Sequence, residues 1–257
     1  SEPMQSAFRT GCSTETALLK VQNDILKAMD DNKVVILVLL DLSAAFDTVD
    51  HNILIQRLKG RLGLDGAALE WLRSYLSDRV QCVKSGPSTS SPTTIKYGVP
   101  QGSVLGPLLF SIYMLPLGEI LRRHAPSYHL FADDDQLYIA SEPDSITART
   151  KELESCIDEI RQWMRANFLQ LNDDKTDVLL IGSPTILSRL PTASIRVGNS
   201  SVSTKEVVKN LGILFNKHLD LSSNITAVCK SCYFHLHNIS KIRRFLDEEA
   251  LKRVVHA

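Results

Sequence analysis

Long apolar runs are missing from this 257-residue chain: the longest, residues 34–40, is far too short to cross a bilayer. Cysteine is sparse, five scattered residues, an odd number that argues for reduced thiols in an intracellular compartment rather than a disulfide framework. Cys229 and Cys232 form one CxxC ahead of His235 and His237. No second ligand pair stands at zinc-finger spacing and the region reads as helix, so we expect no zinc site. An excess of either charge is also missing. The 29 Lys+Arg and 29 Asp+Glu cancel, which neither requires nor excludes a nucleic-acid partner, because a basic groove can offset an acidic metal site. A mild basic excess begins at Lys230. Internal repeats and a targeting segment are not found, and a chain opening on Ser1 is expected to be an excerpt of a longer one. The remainder is ordinary: 44% hydrophobic and 23% charged residues exclude a disordered or fibrous chain. The length is enough for one large domain or two or three lobes.

Hydrophobic periodicity predicts helices over residues 13–29, with Ser13 or Thr14 as N-cap, and over 43–62, 66–76, 104–123, 145–167 and from 225 onward. Residues 33–42 form a continuous Val/Ile/Leu run closed by Asp41, the pattern of a strand buried on both faces. Further strands are expected at 79–84, 93–97, 128–132, 136–140, 168–171, 176–181, 195–197 and 211–215. Residues 85–92 read as an exposed loop, and 98–103 as a breaker cluster that launches a helix. Strands alternating with helices make the fold α+β.

Between the strands at 128–132 and 136–140 lie Asp133, Asp134 and Asp135, read as the turn of a hairpin. Asp favours turns for bland reasons, and clustered carboxylates also suit divalent cations; the hairpin alone cannot choose. Asp41 decides. A buried apolar strand has no packing reason to end in a carboxylate, whose desolvation is costly. If the three strands are neighbours, Asp41 lies beside Asp133 and Asp134, and shared cations remove that cost. Two divalent ions about 3.5–4 Å apart on carboxylates are the general device for in-line phosphoryl transfer, so the constellation asks for nucleotidyl transfer.

The motifs, in order, are Gln5-Ser6-Ala7-Phe8-Arg9-Thr10-Gly11, Asp41-Leu42-Ser43-Ala44-Ala45-Phe46-Asp47, Gly98-Val99-Pro100-Gln101-Gly102-Ser103, Phe131-Ala132-Asp133-Asp134, Leu171-Asn172-Asp173-Asp174-Lys175-Thr176 and Asn210-Leu211-Gly212-Ile213. Taken together, this set resembles the reverse transcriptase domain of non-LTR (LINE-type) retrotransposons over nearly the whole chain. The resemblance implies a right-hand polymerase core with an antiparallel palm sheet backed by helices. Residues 1–16 and 49–100 would be part of the fingers, 17–48 and 101–218 the palm, and 219–257 the start of a thumb that grips phosphates by charge.

It further implies an RNA-directed DNA polymerase extending a DNA primer on an RNA template with dNTPs and two Mg²⁺ ions, Mn²⁺ being an alternative. A catalytically impaired nucleic-acid-binding relic and an RNA-dependent RNA polymerase are the rival readings. Asp41 and Asp133 would be the principal metal ligands, with Asp134 adjacent and the Leu42 carbonyl a further oxygen. Phe46 would block a ribose 2′-hydroxyl by clash; without the family it is a core aromatic. Ala45, Gln101 and Gly102 would line the nucleotide site. Lys175 would protonate the leaving pyrophosphate, and Arg9 would touch triphosphate oxygens. Each of these residues has a plain structural alternative, as a turn, core or solvated side chain.

The resemblance places the chain inside a polyprotein, whose endonuclease and nucleic-acid-binding segments lie elsewhere, acting in cytoplasm and nucleus. Asp135 departs from the pattern, standing where a small uncharged residue is usual. It is expected to face away from the metals and bond turn amides, so that Asp135→Thr shifts stability by about 1 kcal/mol or less.

Overall fold

The computed structural model describes residues 2–124, 126–190, 194–198 and 200–256. Its centre is the apolar run itself, β1 (Val34–Leu40). Hydrogen-bonded strands flank β1 on both sides, in the order β6–β7–β1–β8, with β6 (Ser127–Phe131), β7 (Asp134–Ser141) and β8 (Asp177–Ile181). All three pairings are antiparallel. A strand that is apolar at every position needs cover on both faces, and β1 has it. Ile36, Val38 and Leu40 face a core with Leu137 and Ile139, under α2 (His51–Leu62), α4 (Leu105–Met114), α5 (Leu117–His124) and α6 (Ile146–Ala166). Val35 and Leu37 face the opposite core, closed by Leu18, Val21 and Ile25 of α1 (Thr14–Asp30) and by Val208 and Phe215 of the β11 (Val207–Asn210)–β12 (Ile213–Asn216) hairpin.

Smaller elements fill in the rest. Helix α3 (Gly66–Leu76) follows α2, and β2 (Val80–Gln81) pairs with β5 (Thr93–Thr94). Between them β3 (Lys84–Ser85) pairs with β4 (Ser88–Thr89), so the expected loop is itself a short hairpin. A short helix, α7 (Pro184–Leu187), precedes the β9 (Ser194–Val197)–β10 (Ser200–Ser203) hairpin. Helices α8 (Ser222–Ile242) and α9 (Glu248–His256) end the chain and bury none of their described residues. No single helix among the described residues is long and apolar enough to cross a membrane.

Several expectations are corrected. Residues 43–50 are not helical: Ala44 has a φ of +49°, and this stretch bonds instead to residues 97–99, through Gly98 N to Val49 O (2.8 Å) and Val99 N to Phe46 O (2.9 Å). The helix expected over 104–123 breaks at Leu115–Pro116, where proline has no amide to continue the ladder. Residues 168–171 form no strand; only Leu171 pairs, in an isolated bridge to Leu42. Residues 33–42 and both arms of the acidic hairpin are expected to be the central strands, but β6 lies at the sheet edge.

That edge is partly covered. Residues 4–6 run alongside β6 through Leu130 N to Met4 O (2.9 Å) and Ser6 N to Leu130 O (3.0 Å), so this segment docks on the edge of the central sheet. Buried Gln5 then accepts from Ala7 N (2.9 Å) and Ala132 N (3.1 Å), which ties the N-terminal segment to the turn of the acidic hairpin.

Candidate active site

The β6–β7 turn is Ala132–Asp133, not the three aspartates. Phe131 pairs with Asp134 and Leu130 with Asp135, so Asp134 and Asp135 already belong to β7. Turning in two residues forces Ala132 to a φ of +61°, a strained conformation for a residue with a Cβ. The Gln5 bond to its amide holds it there. Strand alternation then sends neighbouring carboxyls to opposite faces. Asp134 stays exposed, while Asp135, paired with Leu40 and Leu130, is 2% exposed in the helix-covered core.

Asp41 follows β1 directly and is drawn to the same end of the sheet. Its carbonyl accepts from Asn172 N (2.9 Å), and Ser43 N donates to Gln170 O (2.9 Å). Those bonds and the Leu42–Leu171 bridge swing the residue 172–175 turn over the strand end, and Lys175 Nζ reaches 3.1 Å from Asp41 Oδ2. That oxygen is buried and has no hydrogen-bond partner, so the lysine pairs with it by charge rather than by hydrogen-bond direction.

The carboxylates feel one another. Burial raises Asp133 above the usual carboxylate range, and the Asp41 charge adds to this while Lys175 opposes it. Asp134 is pushed up to about 6, first by desolvation from the surrounding protein and then by Asp133 and Asp41; the residue itself keeps solvent exposure on its outer side. Like charges held this way call for a cation.

Among the described residues, no group of three or more His, Cys, Asp or Glu side chains is arranged to hold a metal ion unaided. Mg²⁺ does not ask for one, since it is usually bound by one or two carboxylates completed by water and substrate phosphates. An orphaned Asp41 oxygen, mutually repelling carboxylates and a lysine paired with them by charge fit such an ion.

Beside the carboxylates lies a cavity of about 420 Å³ lined by Leu42, Ala45, Phe46, Gln101, Gly102 and Asp133 together with Ala44, Pro100 and Pro107. The structure thus brings Leu42, Ala45, Phe46, Gln101 and Gly102 to Asp133, as the motifs suggest. Phe46 stacks on Phe110 with centroids 4.5 Å apart, so its ring is fixed. Gly102 has a φ of +75°, open to glycine at no cost.

Arg9 is not brought there. Its guanidinium donates to the carbonyls of Glu2 (3.2 Å), Pro3 (3.4 Å) and Gln5 (3.0 Å) and lines a separate cavity with Phe8, Val104 and Leu108. Asp135 is expected to bond turn amides, and it bonds none. Neither of its oxygens has a partner, and burial, reinforced by Asp134 and Asp133, holds its carboxyl well above the ordinary range. Strand alternation gives it a core position among apolar neighbours rather than a place in the turn.

Sequence reasoning missed Gln5 as the support of the turn, since its motif reads as fingers. It also missed Asn210, whose Nδ2 donates to buried Gln136 Oε1 (3.0 Å) and anchors the β11–β12 hairpin to β7. Gln136, a polar residue ahead of an apolar strand segment, was the available signal for the Asn210 contact.

Residues 1–215 match the family model for reverse transcriptase (RNA-dependent DNA polymerase). This chain belongs to that family. It is 31% identical over 241 residues to a probable RNA-directed DNA polymerase from transposon BS of Drosophila melanogaster, covering 91% of this chain and 26% of that protein. It is 29% identical to the RNA-directed DNA polymerase from mobile element jockey of the same fly, covering 87% and 24%. The chain therefore spans about a quarter of the length of these curated relatives, which are non-LTR retrotransposon proteins. Among solved structures, apo telomerase from Candida tropicalis superposes with a TM-score of 0.57 at 15% identity, over 86% of this chain and 37% of that one. The fold of this reverse transcriptase family member is accordingly the α+β polymerase core.

Proposed function

We propose that this reverse transcriptase domain is the catalytic core of an RNA-directed DNA polymerase, extending a DNA primer 3′-hydroxyl with dNTPs on an RNA template during retrotransposition. The observation that carries this is the meeting of Asp41, from the end of β1, with Asp133 and Asp134, more than ninety residues away, beside a nucleotide-sized cavity. Asp41, Asp133, Asp134 and the Leu42 carbonyl would hold Mg²⁺, or Mn²⁺ in its place. Bound there, two such ions lower the pKa of the attacking hydroxyl and neutralise charge on the triphosphate.

The chain's own residues do the rest. Lys175 carries a two-thirds-exposed positive charge at the strand end, placed to steady the triphosphate and to pass a proton to the departing pyrophosphate. Gly102 lets backbone approach the nucleotide, and Gln101 closes the cavity above it. Phe46, held by Phe110, fills the floor where a 2′-hydroxyl would sit.

Residues 17–48 and 101–218 act as the palm, 1–16 and 49–100 as part of the fingers, and 219–257 as the start of a thumb. Arg9 keeps a triphosphate role only if the N-terminal segment rearranges on substrate binding. The remainder of the polyprotein, with its endonuclease and nucleic-acid-binding segments, acts with this domain in cytoplasm and nucleus.

Primer extension on an RNA template with Mg²⁺ and dNTPs tests the proposal: processive, template-dependent product is expected, and its absence in the full-length element would reject it. The same assay separates the RNA-polymerase reading. Phe46→Val is expected to raise ribonucleotide incorporation about tenfold or more while changing deoxyribonucleotide use little, because the ring acts by exclusion. Equal loss of both substrates would make Phe46 a core residue only.

A further inference from the structure

Gln101 lies between two cavities. One is the 420 Å³ nucleotide cavity with Phe46 and Asp133; the other, of about 640 Å³, is lined by Arg79, Lys96, Tyr97 and Asp47. Asp47 borders only the second. Gln101 Nε2 donates to Asp47 Oδ1 at 2.9 Å. A carboxylate oxygen accepts and cannot donate, so Asp47 dictates that the amide NH₂ turn toward it and that the carbonyl Oε1 turn away.

The clamp is rigid. Asp47 N donates to Ala44 O (2.9 Å), Gly98 N to Val49 O (2.8 Å) and Val99 N to Phe46 O (2.9 Å), while the His51 ring bonds Gly98 O (2.8 Å). The two loops lie so close that a Cβ on Gly98, whose φ is +88°, would stand 2.9 Å from Asp47 O.

We propose that Asp47 is a positioning residue that fixes the Gln101 amide with its acceptor toward the nucleotide, making the site select sugars that carry a hydrogen-bond donor. This rests on the polymerase reading above. Of the groups an incoming nucleotide brings, phosphate oxygens only accept and the base edge is turned to the template. The 3′-hydroxyl is the donor left to meet Oε1. Preorganisation matters because a free amide must be ordered at binding and can offer either face.

The test uses the whole chain and single-nucleotide extension with three substrates: dNTP, its 2′,3′-dideoxy analogue, and the 3′-fluoro analogue, which can accept but not donate. Wild type is expected to prefer dNTP over both analogues. Asp47→Ala, at an exposed side chain, is expected to lower the dNTP-to-dideoxy ratio of kcat/KM about threefold to tenfold, the worth of one hydrogen bond, mainly through the KM of dNTP. It is also expected to improve the 3′-fluoro analogue relative to dNTP, because the NH₂ can now face the sugar.

Unchanged ratios, or equal losses for all three substrates, would overturn the assignment and leave a merely structural contact. Side-chain amide NMR reads the latch without activity: the Gln101 NH₂ resonances should shift in Asp47→Ala and not in Asp174→Ala. If they do not move, the latch is wrong; if they move and no primer is extended, the polymerase reading is what fails.

Discussion

Replacing Asp41 or Asp133 by alanine is expected to cut primer extension by several orders of magnitude and leave the fold in place. Each carboxylate contributes charge and ligand oxygens whose value is greatest when negative charge develops on the phosphates, so its loss falls on the transition state more than on substrate binding. Folding responds differently. Asp133 is desolvated and repelled by Asp41, so removing it relieves the metal-free protein of an unfavourable charge. Asp41→Ala leaves Lys175 without its partner, but that lysine is two-thirds exposed and rehydrates at little cost. Thermal unfolding of both variants near the wild-type temperature, with extension lost, is the predicted result. Near wild-type extension by either would contradict the metal assignment.

The second large effect concerns Asp135 and acts on stability. Its two oxygens are buried without a partner between Leu40 and Leu130. An unsatisfied buried polar group costs about 1–3 kcal/mol, so the effect exceeds what the turn orientation alone would allow. Asp135→Thr is expected to raise unfolding stability by about 1–2 kcal/mol, with kcat within a few-fold, because the side chain is buried beside Leu40 and Leu130 and does not line the nucleotide cavity.

The pH dependence has a definite sign. The folded-state pKa lies above the unfolded value, so the protonated carboxyl is favoured in the fold. That stability is full below the unfolded pKa and is lost as pH rises toward the folded pKa. Asp135→Asn, which cannot ionise, should therefore unfold with a flatter pH profile above pH 4 than wild type when both are measured in chelator. Asp133 and Asp134 titrate in both proteins, so the difference belongs to Asp135. Lower stability of Asp135→Thr would mean that the carboxyl has a partner.

Most of the site was legible because its residues break a pattern. Asp41 ends a run of aliphatics, and the acidic hairpin interrupts two apolar strands; such breaks survive without knowledge of the fold. The exact turn was not legible. Turn propensity assigns all three aspartates to it, but the pairing of Phe131 with Asp134 leaves only two residues, and strand register outweighs local preference. The helix expected from residue 43 failed for a similar reason. Its apolar spacing is real, but Ala45 and Val49 are buried by a loop that bonds to residues 97–99, a contact over some fifty residues that no local pattern reports. Arg9 shows the limit of motif matching: its segment is the one the family suggests, yet its guanidinium is satisfied by three local carbonyls.

The central claim is that Asp41 and Asp133, remote in sequence, form one cation site. Mn²⁺ binding followed by electron paramagnetic resonance, with dNTP present, tests it most directly. Wild type should bind with a stoichiometry approaching two, and Asp41→Ala and Asp133→Ala should each lose that binding to a similar degree, with the double variant no worse than either. Independent, additive losses, or full binding by either single variant, would contradict a shared site.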